Sequence, residues 1–542
     1  MRRPSLALLA AVLAAACGGG DPTGPTPTPP VTPPVTPPVT PPVTPPVTPP
    51  VTPPTTAPDT LPALRREFRG VWIATVANID WPSRNNLSMA QQQAELGALL
   101  DRAQATGLNA VVFHIRPASD AVYRSTLEPW AAMLTGTQGT DPGWDPLEWA
   151  VREAHRRGLE LHAWFNPFRA GNSSDTTSRL SPTHVWHARR DLVRVYGTQL
   201  WQDPGEPAVQ DRTMAVMLDV VRRYDVDGVH IDDFFYPYLQ RNAANQIIDF
   251  PDSATYARYG AGVARADWRR ANVNRFVERM YREVHAVKPQ LKVGISPFGI
   301  WRPGNPAGIT GLDAFAEIYA DSRTWLQNGW LDYLAPQLYW QIDPPRQSFT
   351  ALLDWWTAPA QNAKGRHVWP GVATYNVRDL SWPVTEMTRQ VEATRALASR
   401  GPSTGVILYN GTTTLTWNGG TVTNELARTV FGDRAVPPAS PWLDATAPAR
   451  PTVTVAEAAG AGGAREWTLA LAPGDADAVR WWIVRWRVNG AWTQQLVFGE
   501  ERSFTVRPGA TPLDRIAVHA MDAAGNVSAP LRWPATTVLA AH

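Results

Sequence analysis

The sequence predicts an α/β fold, a (β/α)8 TIM barrel over residues 66–440, followed by a small all-β sandwich over 447–537. Three observations predict it. From Phe68 onward, short apolar runs alternate eight times with longer amphipathic stretches, the pattern of a parallel sheet covered by helices. Each apolar run is near-continuous, as a strand buried on both faces requires. Beyond Pro437 the helical stretches stop and short strands of alternating polarity follow. With 542 residues, 44% of them apolar and 18% charged, the chain has material for both cores and is too apolar to be disordered throughout.

The barrel strands are read at Gly70–Thr75, Ala110–Ile115, Leu159–Phe165, Gly228–Ile231, Lys292–Ser296, Tyr333–Leu338, His367–Ala373 and Gly405–Tyr409. Helices are read at Met89–Thr106, Pro146–Arg157, Arg212–Tyr224, Asp267–Val287, Leu312–Asn328 and Val384–Ser399, several stopped by a glycine such as Gly107, Gly158 or Gly329. Eight such strands satisfy one another's backbone groups, so the barrel is expected to close without help from the sandwich.

The N-terminus carries a different message. Arg2 and Arg3 precede the apolar run Leu6–Ala16, which is shorter than the roughly 18 residues that span a bilayer and reads as a signal peptide, residues 1–17. Cys17, the only cysteine, follows directly and resembles the lipidated cysteine of bacterial lipoproteins, with Leu13-Ala14-Ala15-Ala16 as a degenerate lipobox. Residues 18–65 include six tandem Pro-Pro-Val-Thr units from Pro29 to Thr52 and read as a disordered polyproline spacer. A lipid-anchored protein in the outer membrane, facing the periplasm or the cell surface, is expected. The formal charge of +2, with no block of five like charges, excludes a nucleic-acid partner. A monomer is expected.

In a barrel of this kind the chemistry sits where strands end, because the interior is packed. The ends are rich in polar and aromatic groups: His114 to Asp120 after the second strand, Trp164 to Arg169 after the third, Asp232 to Tyr236 after the fourth, Gln337 to Trp340 after the sixth. Along the fourth strand Val229 and Ile231 share one face, while His230 and Asp232 share the other. Parity therefore sends His230 and Asp232 inside, with Asp232 at the mouth and Asp233 beside it on the rim. Two adjacent carboxyls near a histidine are costly to bury unless they bind, pair or catalyse, and their repulsion raises one pKa.

The blocks FRGVWIATVANIDWP (Phe68–Pro82), HIRPASDAVY (His114–Tyr123), HAWFNPFR (His162–Arg169), DVDGVHIDDFFYP (Asp225–Pro237), SPFGIWR (Ser296–Arg302) and APQLYW (Ala335–Trp340) resemble the bacterial glycosyl-hydrolase-like 10 family. The resemblance implies a secreted or lipid-anchored glycoside hydrolase on a TIM barrel, with members associated with peptidoglycan glycan strands, particularly those stripped of stem peptides.

Cleaving an acetal requires a proton for the leaving oxygen and support for an oxocarbenium-like centre, tasks usually shared by two carboxyl groups. Asp232 is the first choice for one. Asp233, Asp120 and Glu128 are open choices for the second, and substrate assistance by an N-acetyl group is a further route. Trp72, Trp81, Trp164, Tyr236, Tyr339 and Trp340 offer rings for sugar faces, or core packing; Asn166 and Gln337 offer hydrogen bonds to hydroxyls or an acetamide. For Arg116 and Arg169 the alternatives are a loop salt bridge and an anionic sugar, and for His114, His162 and His230 a substrate contact or a satisfied interior position. The first strand has no His-x-His pair and the seventh and eighth end in Thr374-Tyr375 and Tyr409-Asn410, so no metal and no cofactor are expected. A non-catalytic glycan-binding lipoprotein is the alternative reading, opposed by the Asp232–Asp233 couple.

The C-terminal strands are read at Thr452–Val455, Glu466–Leu471, Ala478–Val488, Gln494–Val497, Ser503–Val506 and Asp514–Met521. The opening Ala447–Pro451 and closing Ala520–Ser528 resemble fibronectin type III modules, acting through exposed tryptophans in glycan or wall attachment or, with those tryptophans buried, as a packing or spacer module.

Overall fold

The computed structural model describes residues 60–171, 179–398, 404–459, 465–509, 511 and 513–534. Cys17, the signal peptide and the linker up to residue 59 lie outside the described residues.

Why the barrel closes is visible in its pairing. Strands β1 (Phe68–Ile73), β2 (Ala110–Arg116) and β3 (Glu160–Phe165) are followed by three short strands that leave the barrel, β4 (Arg169–Gly171), β5 (Val193–Tyr196) and β6 (Gln199–Gln202). The barrel resumes with β7 (Gly228–Ile231), β8 (Lys292–Ile295), β9 (Tyr333–Leu334), β10 (His367–Val368), β11 (Gly371–Ala373) and β12 (Gly405–Tyr409). The parallel sheet runs β10-β9-β8-β7-β3-β2-β1-β12-β11. Its two ends, β10 and β11, are halves of one segment interrupted by Trp369-Pro370, so the sheet closes on itself as eight strands. Proline lacks the N–H a ladder needs. The Pro370 carbonyl nevertheless accepts from Ile407 N at 3.0 Å, and Trp369 N donates to Leu334 O at 2.9 Å, which carries the seam across the break. The sixth strand is shorter than the sequence suggests because Pro336 interrupts it; pairing resumes at Gln337, bridged to Phe298 and Gly371.

The helices start where the chemistry of their first residues allows. Ser88 accepts from Gln91 N in a capping box before Met89–Thr106, which Gly107 ends in a left-handed conformation at φ 91°. Asp145 caps Pro146–Arg156. The single helix expected over Leu312–Asn328 is two, Ala314–Glu317 and Ser322–Asn328, because Asp313 starts one and Tyr319 turns the chain at φ 56° before the other.

Two apolar layers result. Val229 and Ile231 point outward into the strand–helix core with Phe276, Val277 and Met280, while Phe68, Trp72, Ala110, Val112, Trp164, Tyr333, Trp369 and Ile407 fill the barrel interior.

The C-terminal part is a sandwich of β13 (Thr452–Ala459), β14 (Arg465–Ala472), β15 (Trp481–Val488), β16 (Ala491–Phe498), β17 (Ser503–Val506), β18 (Leu513–Met521) and β19 (Leu531–Trp533). These form antiparallel sheets ordered β13-β14-β17 and β16-β15-β18-β19. Trp467, Trp481 and Trp482 are buried. The sandwich belongs to the same compact unit as the barrel, and it covers the mouth where the strands begin. Trp481, Ile483, Leu496 and Met521 pack with Val436 of the barrel, and with Leu64, a residue the sequence pattern assigns to the linker. Arg480 reaches Asp225 at 2.7 Å and Asp227 at 2.6 Å, immediately before β7. Lys292 Nζ donates to Ala523 O at 3.3 Å.

Candidate active site

Strand β7 delivers Asp232 to the opposite mouth. Its Oδ1 accepts from Phe234 N at 3.3 Å and its Oδ2 from Trp164 Nε1 at 3.2 Å and from the Asn166 amide. Burial, and then the neighbouring Asp233, push its pKa up to about 7. Asp233 is raised by burial too, but the Tyr238 hydroxyl, which donates to its Oδ2, and Gln337 hold it back. One strand end thus holds a carboxylic acid that keeps its proton to neutrality, next to a carboxyl with stronger support as an anion.

Asn166 fixes this geometry. Its Nδ2 donates to Asp232, so its Oδ1 accepts, from Arg169 Nη1 at 3.2 Å and from His114 Nε2 at 2.9 Å. His114 therefore carries its proton on Nε2, and Nδ1 is left buried without a partner among the described residues. Burial, then the Arg169 charge, hold the imidazole pKa well below its ordinary value. His114 stacks on Trp164 with ring centroids 3.8 Å apart.

His230 lies deeper. Trp72 Nε1 donates to its Nε2 at 3.2 Å, so Nδ1 carries the proton and donates to Tyr333 Oη at 3.0 Å; Ser296 Oγ lies 2.9 Å from Nε2. Tyr333 in turn bonds His162 Nδ1 at 2.8 Å, and His162 Nε2 bonds Glu160 at 3.1 Å. Trp72 and His230 are thus members of a satisfied interior chain.

Around the carboxyl pair the rim is aromatic. Tyr339 and Tyr409 stack at 5.9 Å, Tyr375 meets both edge-on, and Trp340 meets Phe298 edge-on at 5.7 Å. Tyr339, Trp340, Phe298 and Phe234 line this mouth, and Trp340, Phe298 and Phe234 are half-buried, which leaves ring surface open there. Gln337 Nε2 donates to Ser296 O at 3.0 Å.

Other residues singled out in the sequence are placed elsewhere. Arg116 is fully buried and its donors are spent on Glu128, at 2.6 and 2.7 Å, and on the carbonyls of Asn166 and Pro167, so it anchors the loop that presents Asn166. Asp120 bonds Ala118 N and Gln138 Nε2, both at 3.0 Å, within its own loop. Tyr236 packs edge-on to Phe250 and Tyr319 beside a separate cavity of about 150 Å³. Trp81 is buried and donates to Gln92 O.

The residues not foreseen are Tyr238, Tyr375 and Asp80; Tyr409, which ends the eighth strand, is at the rim as the sequence suggests. Asp80 accepts from Ala74 N at 2.8 Å, Gly411 N at 3.1 Å and Thr412 N at 2.7 Å, tying the first βα loop to the loop that follows Tyr409; burial still pushes its pKa up to about 6. Its signal was its place in the quoted block ending in Pro82. Among the described residues no cluster of three His, Cys, Asp or Glu side chains is arranged to hold a metal ion.

Known proteins are similar to this chain in sequence. The family profile described as Glycosyl hydrolase-like 10 matches residues 67–383, a span that contains every residue of the cluster except Tyr409. The glycosyl hydrolase YngK of Bacillus subtilis (strain 168) is 40% identical over 400 residues, 72% of this chain and 76% of that protein. The glycosyl hydrolase DigH of Escherichia coli O6:H1 is 35% identical over 371 residues, 63% of this chain and 82% of that protein. Among solved structures, the glycoside hydrolase domain of PgaB (BpsB) from Bordetella bronchiseptica is similar at 14% identity with a TM-score of 0.43, covering 66% of this chain and 98% of that one.

Proposed function

The chain belongs to the glycosyl hydrolase-like 10 family and acts on glycosidic bonds, and from that premise we propose that its substrate is a peptidoglycan glycan strand, with Asp232 the acid that protonates the leaving oxygen. One observation carries the assignment: at the open mouth, burial and Asp233 leave Asp232 its proton up to about pH 7, where a general acid at neutral pH needs it.

The partner of that acid follows from placement. Asp232 and Asp233 are consecutive at one strand end and interact with one another, so they approach a sugar from one side. Two carboxyls that flank a sugar ring from opposite faces, as double-displacement and inverting glycosidases use them, are a different arrangement. The pair suits substrate assistance. The acetamide carbonyl oxygen of an N-acetylated sugar forms a bond to the anomeric carbon as the glycosidic C–O bond breaks, and the Asp232 proton goes to the departing oxygen. Asp233 accepts the acetamide N–H as positive charge grows there. Water then adds at the anomeric carbon, the acetamide leaves it, and the water's proton returns to Asp232. The rings of Tyr339 and Trp340 supply flat surfaces for the apolar faces of neighbouring sugars.

The run ahead of Cys17 supports a lipid anchor at that residue, and Gly18 in place of aspartate supports sorting to the outer membrane. The three-plus-four strand order supports reading the C-terminal sandwich as a fibronectin type III-like module, and its buried tryptophans favour packing over glycan attachment.

The test is incubation of the full-length protein with intact peptidoglycan, amidase-stripped peptidoglycan and chitin oligomers, followed by mass spectrometry. Muropeptide-free glycan fragments from the stripped material are the expected product. Chitin cleavage with no peptidoglycan product would overturn the substrate, and a membrane-bound, normally processed Cys17→Ser chain would overturn the anchor.

A further inference from the structure

The loop that follows β7 serves two concavities. Tyr238 turns its hydroxyl onto Asp233 at the open mouth, whereas Tyr236, Pro237 and Leu239, from the same stretch of chain, line the separate cavity of about 150 Å³. A void of that size holds one six-membered ring. The rings of Tyr196, Phe250 and Tyr319 form further wall, and Leu239 and Ile247 stand at its edge, 40% and 52% exposed. Exposed aliphatic side chains around a ring-lined void are the composition of a ligand site, since a core would have covered them.

The polar groups of the lining select the ligand. Arg269, 4% exposed, spends its fork on Asp252, Asp249, the Phe250 carbonyl and Tyr319 Oη at 2.7 to 3.1 Å, and Asp249 has Arg265 as a second partner at 2.9 Å. The arginine is therefore matched within the wall and offers little to an anion. Glu317, which accepts from Asp313 N at 3.2 Å, adds another carboxylate to the lining and repels negative charge. Tyr196 Oη accepts from Gln240 N at 3.0 Å and Tyr319 Oη from Arg269, so each phenol still has its hydroxyl hydrogen to give. Flat rings, aliphatic edges, hydroxyl donors and a carboxylate acceptor, with the arginine already matched, suit an uncharged polyhydroxyl ring. We propose that this cavity is a distal subsite, which holds a neutral sugar further along the strand whose bond is cleaved at Asp232. The inference rests on the glycan reading above and extends it: one loop carries the reacting carboxyls and the distal contact, so a strand that crosses Phe234 and Tyr238 engages both. A sugar held there does not react. It binds ground state and transition state alike, and its contribution falls on KM and not on kcat.

The experiment measures kcat and KM of the full-length protein on a ladder of amidase-stripped peptidoglycan oligosaccharides of increasing length. At the length that first reaches the cavity, kcat/KM should step up about 10-fold through KM, the scale of one sugar seated on aromatic rings. Ile247→Trp fills the void from its exposed edge, and the ratio of kcat/KM between long and short oligosaccharides should then collapse toward 1, whatever the absolute rates. Leu239→Trp is an independent plug, used if the first variant fails to fold by its melting temperature. A profile flat in length for the wild type, with every oligosaccharide cleaved, overturns the distal subsite and leaves the glycan reading standing. A step that survives in a folded plugged variant also overturns it, because the strand then extends over another surface. Cleavage at no length overturns the glycan reading and this inference with it.

Discussion

The two mouths of the barrel are built from the same strands and treat charge in opposite ways. Where the strands begin, buried charges are matched. Burial would raise Asp227 and Glu160, but Arg480 and His155 hold the first, and Lys292 and His162 the second, below the ordinary carboxyl value. Where the strands end, burial wins: Asp232 is pushed up to about 7, Asp80 and Asp120 to about 6, and Arg169 is lowered. The sandwich seals the first mouth and supplies Arg480; the second is open and lined with aromatic rings. The difference teaches where this molecule keeps its stability and where it accepts an electrostatic penalty for chemistry, the division expected of a barrel whose strand ends carry the active site.

The sharpest way to break the comparison is Asp232→Asn. The substitution keeps the shape and removes the proton, so turnover should fall by roughly 10² to 10⁴. Stability should not fall with it. An aspartate whose folded pKa lies near 7 instead of 3.8 binds its proton more tightly folded than unfolded, so its contribution to stability declines as pH rises from about 4 to about 7 and is lowest above that. At pH 7.5 that relief opposes the loss of one acceptor, because the new NH2 must face Phe234 N or the Trp164 and Asn166 donors, so the melting temperature of Asp232→Asn should stay close to that of wild type. A variant that is both inactive and several degrees less stable would make Asp232 a structural carboxyl. The same proton sets the pH profile of the wild type, whose kcat should drop as pH rises through about 7.

At the sealed mouth the largest effect should be on folding. Arg480→Met leaves Asp227, which is 3% exposed, without its main counter-charge, and breaking a buried pair from one side costs about 3–5 kcal/mol. Denaturation midpoints should fall accordingly while kcat at low temperature stays within a few-fold of wild type. A fragment of residues 63–440 loses this arginine together with the apolar cover of Trp481, Ile483, Leu496 and Met521. It should aggregate or melt well below the whole chain, even though its strands close without the sandwich. A 63–440 fragment as stable as the whole chain would reduce the sandwich to a spacer.

What the sequence disclosed follows the same division. Parity along Gly228–Asp232 put His230 inside and Asp232 at the mouth, because period two is a local property of a strand. The ladder positions of the strands were legible for the same reason, apart from the proline breaks at Pro336 and Pro370. Partners distant in sequence were not legible. Nothing local says that Arg116 spends its fork on Glu128 and two carbonyls while Arg169 reaches Asn166 and lies over the Phe234 ring, since both come close after strands in similar apolar surroundings. Tyr238 was missed because it sits two residues past Tyr236 in an irregular loop, where no periodicity tells which of the two turns toward Asp233. Strands β4 to β6 are three or four residues long, too short for any pattern to show.

A smaller effect is expected at Tyr238. Tyr238→Phe removes the hydroxyl that holds Asp233 back, so Asp233 should climb further and carry less charge at a given pH. Less charge there means less repulsion on Asp232, whose own pKa should come down. Turnover should fall about 10-fold, on the scale of one hydrogen bond to a charged group, and the alkaline limb of the pH profile should move to lower pH. A profile unmoved by Tyr238→Phe would separate the two carboxyls that the structure couples.

The smallest effect belongs to Asp120, and it tests whether a raised pKa alone marks a reacting group. Burial pushes this carboxyl up to about 6, close to Asp232, and it too sits in a βα loop at the open mouth. Its surroundings differ in what they leave free. Oδ1 accepts from Ala118 N and Oδ2 from Gln138 Nε2, and Gln138 Oε1 accepts from Ser181 N, so Asp120 stitches its own loop to the segment at Ser181 and does not join the cluster of Asn166, Arg169 and Tyr238. Asn in its place keeps one acceptor for Ala118 N, and Gln138 can turn its amide to meet the new NH2 group only by giving up Ser181 N. The expected result is a loss of about 1 kcal/mol in stability with kcat/KM within about threefold of wild type. A fall in kcat beyond 10²-fold at unchanged melting temperature would move the second carboxyl of the reaction from Asp233 to Asp120, and the one-sided approach on which the substrate-assisted route depends would have to be given up.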